Sequence, residues 1–130
     1  MIVGTGIDIV KIDRIERMMT RWGDLFLSRV FTEKEIVRCQ KRAHPAECFA
    51  GRFAAKEAFF KAVGSGFRNG IHWTDIEVDN DPMGRPTLSL HRRAKEVFQA
   101  QRIQKAFLTL SHDTPYAVAH VILEGENGKI

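Results

Sequence analysis

Residues 49–66, Phe-Ala-Gly-Arg-Phe-Ala-Ala-Lys-Glu-Ala-Phe-Phe-Lys-Ala-Val-Gly-Ser-Gly, are the most informative stretch of the chain. The run is rich in strong helix formers and contains no proline, so it predicts a helix from Phe49 to Val63. Most of its residues are apolar and suit burial, yet Glu57 and Lys61 lie one turn apart among them. Placing a carboxylate and an ammonium group on a largely buried helix costs desolvation energy unless another group uses them.

Two interpretations of this stretch remain open. The first is an ordinary salt bridge between Glu57 and Lys61, followed by a glycine that ends the helix. The second is a site for a metal ion and a phosphate, because the turn Gly64-Ser65-Gly66 would let a phosphate approach the backbone.

The N-terminus carries a second unusual carboxylate. Met1 to Val10 is rich in β-branched residues and predicts a strand, in which Asp8 stands among Ile7 and Ile9. A carboxylate in such a strand is paired, hydrogen-bonded or a metal ligand, or else it caps the helix that follows. Mg²⁺ is commonly held by one or two carboxylates together with water and substrate phosphates. Asp8 and Glu57 could supply that pair if the strand packs on the helix.

These two stretches together resemble a known family. Gly6-Ile-Asp8-Ile-Val-Lys-Ile-Asp-Arg14-Ile, followed by Arg52-Phe-Ala-Ala-Lys56-Glu57-Ala-Phe-Phe-Lys61-Ala, is similar to the holo-[acyl-carrier-protein] synthases. This family is the small, single-domain group of the 4′-phosphopantetheinyl transferases. The resemblance runs from about residue 2 to about residue 124, which is nearly the whole chain.

The resemblance implies a fold and a reaction. The expected fold is α+β, with a small antiparallel sheet, a long central helix and flanking helices, and three copies are expected to assemble with sites at their boundaries. The reaction transfers 4′-phosphopantetheine from coenzyme A to a serine of apo acyl carrier protein, in support of fatty acid biosynthesis. Asp8 and Glu57 are expected to hold Mg²⁺, and Lys61 to contact a phosphate. The proton acceptor for the serine is either Glu57 or a water oriented by Asp8.

The resemblance also implies contacts with coenzyme A. Arg42 and His44 occupy the neighbourhood where the family meets the 3′-phosphate. The turn after the central helix, the adenine-side loop and a strand end supply further contacts. The expected coenzyme A residues are Arg52, Lys61, Gly64, Ser65, Arg85, Pro86, Ser111 and His112.

The segment from Lys11 to Trp22 predicts an amphipathic helix that docks the carrier protein. Its expected core positions are Ile12, Ile15, Met19 and Trp22. Arg14 matches a position where the family contacts its carrier protein. Helix geometry adds Arg17, Met18 and Arg21 to the same face, although such a face can also be simply solvated. Cationic side chains around a methionine suit an acidic helix with an apolar spot.

The remaining patterns agree with the α+β class. Thr32-Glu-Lys-Glu35 is a capping box that predicts a helix to about Lys41, and Pro45 suits the first position of the next helix. The expected later elements are strands at Asp75–Asp79 and Thr87–Leu90, a helix at Arg93–Ile103, and a hairpin of Phe107–Ser111 and Tyr116–Leu123.

Composition bounds the protein class. The 130 residues (14.8 kDa) suit one domain, expected over 1–124, with a disordered tail at 125–130. No apolar stretch predicts a membrane span or signal peptide, so Cys39 and Cys48 are expected to be reduced thiols of a cytoplasmic protein. A net charge of +4 indicates an acidic partner, which the resemblance identifies as acyl carrier protein.

Two other functions share some of these features. A basic nucleic-acid-binding domain would use arginine clusters with stacking aromatic side chains, but most aromatic residues here fall at expected core positions. A metal-dependent phosphohydrolase would need the same carboxylates, and only the family resemblance and the cationic first helix argue against it.

Overall fold

The computed structural model describes residues 1–64 and 70–126. A short 3₁₀ helix, Trp73–Asp75, precedes the second strand. The strands and helices, numbered by type in chain order, are β1 (Ile2–Lys11), α1 (Ile12–Trp22), α2 (Asp24–Val30), α3 (Glu33–Gln40), α4 (Pro45–Val63), β2 (Ile76–Asn80), β3 (Pro86–Leu90), α5 (Arg92–Ala100), β4 (Ile103–Asp113) and β5 (Tyr116–Gly125).

The strands form two antiparallel sheets. The larger has the order β1-β5-β4, and the smaller is the hairpin β2-β3. One face of the larger sheet packs on α4, because alternate residues of β5 (Ala117, Ala119, Val121 and Leu123) point inward and are buried. The expected α+β architecture, a small antiparallel sheet around a long central helix, is confirmed.

Helix α4 lies at the centre of the molecule. It begins at Pro45, which suits the first helical position because proline lacks the N–H that would have no partner there. It ends at Gly64, whose positive φ of 90° favours glycine. The larger sheet covers one side of the helix, and α1, α3 and β2 cover others, which explains why apolar residues occur all round it.

Glycines in β1 let the strand lie directly on α4. A Cβ atom on Gly6 would stand 2.0 Å from the carbonyl oxygen of Ala58, and one on Gly4 would stand 2.3 Å from that of Ala62. Both distances are far below van der Waals contact, so only glycine fits. Asp8, two residues beyond Gly6 on the same face of β1, is thereby held against α4.

Several sequence-based boundaries and orientations were wrong. Trp22 is 48% exposed rather than in the core. Helix α5 ends at Ala100 because Arg102 has a positive φ of 58°, so Ile103 begins β4 instead of ending the helix. Strand β2 does not alternate, since its residue Glu77 is as buried as its apolar neighbours.

The C-terminal strand is longer than expected. Strand β5 extends to Gly125, whose N–H donates to the carbonyl of Met1, so this residue is part of the sheet rather than of a tail. A side chain there would collide with the backbone of Arg102, because a Cβ atom on Gly125 would stand 2.3 Å from its carbonyl oxygen. Residues 127–130 lie outside the described part of the chain.

The cysteines also differ from expectation. Cys39 at the end of α3 and Cys48 in α4 form a disulfide, with Cα atoms 5.4 Å apart. The two residues are nine positions apart in the sequence, and the fold brings them together where α3 turns back into α4.

A search of the described residues for membrane-spanning helices finds none with the required length and apolar character.

Candidate active site

Asp8, Glu57 and Lys61 meet where β1 crosses α4. The ammonium group of Lys61 donates to Asp8 Oδ1 at 3.1 Å and to the carbonyl of Ile7 at 3.0 Å. The Lys61 side chain is 56% exposed and that of Asp8 18% exposed, so the group opens to solvent. Lys61 of α4 thus forms its salt bridge with Asp8 of β1. The first interpretation of residues 49–66, a salt bridge between Glu57 and Lys61 within the helix, is wrong.

The Glu57 carboxylate is half-buried beside this pair. Burial raises the pKa of Glu57 above its ordinary value, and the negative charge of Asp8 raises it further. The positive charges of Lys61 and Arg14 act in the opposite direction but do not cancel the increase. Two carboxylates therefore face one another closely enough to repel, with one ammonium group beside them.

This pair of carboxylates suits a hard divalent cation. A cation between Asp8 and Glu57 would relieve their repulsion and, as Mg²⁺ commonly does, leave most coordination positions to water and phosphate oxygens. The described residues contain no cluster of three or more His, Cys, Asp or Glu side chains arranged for a metal. An all-protein metal cage is therefore not formed by this part of the chain, whereas a two-carboxylate site fits it.

A second feature is a cavity of about 490 Å³ on the side of α4 nearer α3 and the β2-β3 hairpin. Its walls combine cationic and hydrogen-bonding side chains with a few apolar ones. The lining residues are Arg42, Ala43, His44, Glu47, Cys48, Gly51, Arg52, Asn80, Gly84, Pro86, Leu110, Ser111, His112 and Ala117. The structure thus brings four of the expected coenzyme A residues together, namely Arg52, Pro86, Ser111 and His112.

Arg52 is the most unusual group in the cavity wall. It is only 5% exposed, and it donates to the side-chain oxygen of Asn80 at 3.2 Å and to Cys48 Sγ at 3.3 Å. Its Nε has no hydrogen-bond partner within the described residues. Burial lowers the pKa of Arg52, and the nearby charges of Arg38 and Arg42 lower it further, although Glu35 opposes them. A buried guanidinium with no carboxylate bonded to it favours an anionic ligand.

The cavity contains a contact between a histidine and a glutamate that the sequence did not reveal. His112 Nε2 lies 3.2 Å from Glu47 Oε1, joining the end of β4 to the first turn of α4. An acidic residue in the first turn of a helix, as Glu47 is, indicates only a favourable interaction with the helix dipole. Asn80, which accepts a hydrogen bond from Arg52, is the last residue of β2.

The other expected coenzyme A residues lie elsewhere. Arg85 is exposed in the β2-β3 turn, where its N–H bonds to Asp81 Oδ1, and it does not line the cavity. Gly64 ends α4 near Lys61, and Ser65 lies outside the described residues. Arg52 and Glu57 are separated by roughly 140° around the helix axis. The cavity and the Asp8 cluster therefore occupy different sides of α4.

The expected docking face on α1 is exposed. Arg14, Arg17, Met18 and Arg21 all reach solvent. Arg14 lies over the ring of Phe53 at 5.5 Å and Arg21 over the ring of Trp22 at 5.1 Å, which orients both guanidinium groups. Trp22 at the end of α1 and Leu25 in α2 are also exposed, by 48% and 73%.

The sequence and fold match known proteins over almost their whole length. The family model described as the 4′-phosphopantetheinyl transferase superfamily matches residues 4–121. A holo-[acyl-carrier-protein] synthase of Koribacter versatilis is 52% identical over 124 residues, which are 95% of this chain and 99% of that protein.

Solved structures agree. The crystal structure of holo-[acyl-carrier-protein] synthase from Neisseria meningitidis superposes with a TM-score of 0.89 at 34% identity, covering 95% of this chain and 99% of that one. The Helicobacter pylori holo-[acyl-carrier-protein] synthase in complex with coenzyme A gives a TM-score of 0.81 at 35% identity, covering 92% and 99%. The chain therefore belongs to the holo-[acyl-carrier-protein] synthase family of the 4′-phosphopantetheinyl transferase superfamily.

Proposed function

We propose that the Asp8 cluster and the Arg52 cavity are the two parts of one active site for a group transfer. The chain transfers 4′-phosphopantetheine from coenzyme A to a serine hydroxyl of apo acyl carrier protein, releasing adenosine 3′,5′-bisphosphate. The observation that carries the assignment of residues is the buried Arg52 guanidinium, which lacks a carboxylate partner and faces a cavity. Such a group suits a phosphate of coenzyme A.

The metal of this reaction is proposed to be Mg²⁺, held by Asp8 and Glu57. When bound, it neutralises the charge of the pyrophosphate and stabilises charge on the leaving group. The support for this assignment is the meeting of the two carboxylates where β1 crosses α4; burial raises the pKa of Glu57, and the negative charge of Asp8 raises it further.

Two side chains act on the reacting groups directly. Lys61, which is exposed and already bonded to Asp8 and to the carbonyl of Ile7, can turn its third ammonium proton to a phosphate oxygen. Glu57 is the second: its carboxylate, or a water oriented by Asp8, accepts the serine proton. The serine oxygen then attacks the phosphorus that carries pantetheine, and the bisphosphate leaves with the bridging oxygen.

The cavity is proposed to hold the adenosine end of coenzyme A. Arg52, with Arg42 and His44 in the loop before α4, would bind the 3′-phosphate. Pro86 and the end of β4 would contact the adenine and ribose, with Ser111 as a hydrogen-bonding group and His112 oriented by Glu47. Arg85, next to Pro86, is proposed to lie along the adenine, and Gly64 and Ser65 to let a phosphate approach the backbone after α4.

A homotrimer is proposed because the outer face of the larger sheet is apolar. Ile7 and Ile9 on β1 are 59% and 60% exposed, and Phe107 on β4 is 50% exposed. Because the cavity and the Asp8 cluster lie on different sides of α4, assembly would let the cluster of one copy meet the cavity of its neighbour. Ile7→Glu should then yield a smaller species in analytical ultracentrifugation, whereas Met83→Glu, in an exposed turn, should not. A stable, active wild-type monomer would contradict the trimer.

The carrier protein is proposed to dock on the face of α1. The basic side chains Arg14, Arg17 and Arg21 surround Met18, so the surface complements an acidic helix with an apolar spot. The chain has a net charge of +4, which favours the same partner. Because acyl carrier protein of fatty acid synthesis and coenzyme A are both cytoplasmic, we propose that the enzyme works there.

The direct test is intact-mass spectrometry of an apo acyl carrier protein after incubation with this protein, coenzyme A and Mg²⁺. We expect a mass gain of one phosphopantetheine group, lost with EDTA and with a carrier whose acceptor serine is replaced by alanine. No gain with several carriers, from a folded protein, would refute the transfer. Release of adenosine 3′,5′-bisphosphate without any carrier would instead indicate a phosphohydrolase.

A further inference from the structure

The disulfide between Cys39 and Cys48 closes the loop that forms one wall of the cavity. Its two ends belong to α3 and α4, and the residues between them include Arg42 and His44, which both line the cavity. Cys48 itself also lines the cavity, whereas Cys39 is fully buried. The bond therefore restrains the position of two of the proposed phosphate-binding side chains.

The same disulfide touches the buried guanidinium. Arg52 Nη1 donates to Cys48 Sγ at 3.3 Å, one helical turn away on α4. A disulfide sulfur is an uncharged and weak acceptor, so it leaves the positive charge of Arg52 uncompensated. That charge remains available to an anion in the cavity.

We propose that Cys39–Cys48 is a site of thiol–disulfide exchange that sets the affinity of the cavity for the phosphate groups of coenzyme A. The oxidised form binds tightly and the reduced form binds weakly. The inference rests on the proposed function, since it takes the cavity to be the site of the adenosine bisphosphate end.

A dithiol reductant supplies the chemistry. One thiolate of the dithiol attacks Cys48 Sγ from the cavity, because Cys39 is shielded; the sulfur–sulfur bond breaks and Cys39 leaves as a thiolate that takes up a proton. The second thiol of the reductant attacks the mixed disulfide and frees Cys48. The protein gains two electrons; Cys39 keeps one proton, Cys48 is freed as a thiolate with the second proton released to solvent, and the reductant becomes a cyclic disulfide.

Reduction weakens phosphate binding in two ways. A cationic neighbour favours the thiolate form of a cysteine, so the freed Cys48 sulfur pairs with Arg52 and competes with the phosphate for it. In addition, the loop that carries Arg42 and His44 loses the covalent cross-link between its two ends. It then samples more conformations, which binding must restrict. Because linkage is reciprocal, a ligand in the cavity also favours the oxidised form at equilibrium.

The test measures the binding of adenosine 3′,5′-bisphosphate to the whole protein by calorimetry. One sample is oxidised with glutathione disulfide and the other reduced with dithiothreitol, and the thiols of each are counted by mass after alkylation. We expect reduction to raise the Kd about tenfold and to raise the KM for coenzyme A likewise. The kcat at saturating coenzyme A should stay within about twofold, because the Asp8 cluster lies on another side of α4.

Two variants separate the causes. Cys39→Ser leaves a free Cys48 and should bind weakly under both conditions, whereas Cys48→Ser frees the loop without a thiolate and should lie between the two wild-type states. In a glutathione redox buffer at equilibrium, bound bisphosphate should raise the oxidised fraction of the wild-type disulfide. Equal Kd values for the verified oxidised and reduced wild-type protein overturn the inference, as does a failure of glutathione disulfide to form the bond. If neither redox state binds the bisphosphate, the proposed function itself fails.

Discussion

Helix α4 carries two lysines, each paired with a carboxylate from another element, and the two pairs differ in burial and in their remaining hydrogen-bonding capacity. Lys56 and Glu35 are completely buried, and Lys56 Nζ lies 2.8 Å from Glu35 Oε1. Lys61 and Asp8 are 3.1 Å apart, but the lysine side chain is 56% exposed. The distances are similar, so the difference lies in what surrounds each pair.

The buried pair has its hydrogen-bonding groups occupied inside the protein. Lys56 also donates to the carbonyl groups of Trp73 and Ile76, and the second oxygen of Glu35 accepts the N–H of Val78 at 2.8 Å. Burial lowers the pKa of Lys56, and the charge of Glu35 opposes that shift. Such a pair joins α4, α3 and β2, and it has no capacity left for a ligand.

The exposed pair of Lys61 and Asp8, here called the open pair, keeps the capacity to bond a ligand. Lys61 faces solvent, and Asp8 stands beside a second carboxylate, that of Glu57, whose pKa is raised. Lys56 and Glu57 are adjacent in the sequence, yet a rotation of about 100° per residue sends one into the core and the other to the cluster. Burial and free hydrogen-bonding capacity, rather than the residue types, separate structural from chemical roles on this helix.

The largest expected effect comes from breaking the buried pair. Lys56→Met should lower the free energy of unfolding by about 3–5 kcal/mol, because it leaves the carboxylate of Glu35 buried without its counter-charge. Urea denaturation measures the change. The double variant Lys56→Met/Glu35→Leu should recover part of the loss. If Lys56→Met lowers the free energy of unfolding by less than about 1 kcal/mol, the pair of Lys56 and Glu35 does not have the structural role assigned to it.

Removal of the open carboxylates should affect turnover instead. Asp8→Ala and Glu57→Ala should each lower kcat/KM at least about 100-fold, or about 2.7 kcal/mol, by removing a metal ligand. Their free energies of unfolding should change by less than about 1 kcal/mol. The exposed Glu96→Ala is the matched control and should transfer normally. Most turnover retained at ordinary Mg²⁺ in either variant would remove that residue from the site.

The contact that brings the open pair together can be tested separately. Gly6→Ala would place a Cβ 2.0 Å from the carbonyl oxygen of Ala58, so β1 must move away from α4. We expect a loss of about 1–3 kcal/mol in stability and a drop in turnover as Asp8 is displaced. Gly51→Ala, whose Cβ would meet only Leu110 at 3.9 Å, should be neutral or stabilising. Equal behaviour of the two variants in thermal denaturation would refute the close-packing argument.

The smallest effect on stability should come from Lys61→Met, the same substitution as Lys56→Met but in the open pair. Lys61→Met removes an exposed ion pair and should change the free energy of unfolding by less than about 1 kcal/mol. Turnover should nevertheless fall about tenfold, since a phosphate loses its ammonium partner. If Lys61→Met destabilises the protein as much as Lys56→Met in the same urea titration, the distinction between the two pairs is wrong.

Local patterns were sufficient for much of this protein. Helix α4, its proline start and glycine end, the capping box at Thr32 and the antiparallel hairpins all follow from propensity and periodicity, which act over a few residues. The motifs around Asp8 and Glu57 identified the family. The same local rules failed for Trp22, whose position in a helix is regular but which is 48% exposed and has the guanidinium of Arg21 against its ring.

The sequence by itself determined the fold class, the family and the residue types available for chemistry, because these depend on short-range order and on motifs. Only the tertiary structure decided which lysine pairs with which carboxylate, since Lys61 reaches Asp8 across 53 positions and Lys56 reaches Glu35 across 21. It likewise decided that Cys39 bonds to Cys48 and that Arg52, in the cavity wall, is hydrogen-bonded to no acidic side chain of residues 1–64 and 70–126. The physical reason is that pairing and burial depend on distances between elements, which a local pattern does not contain.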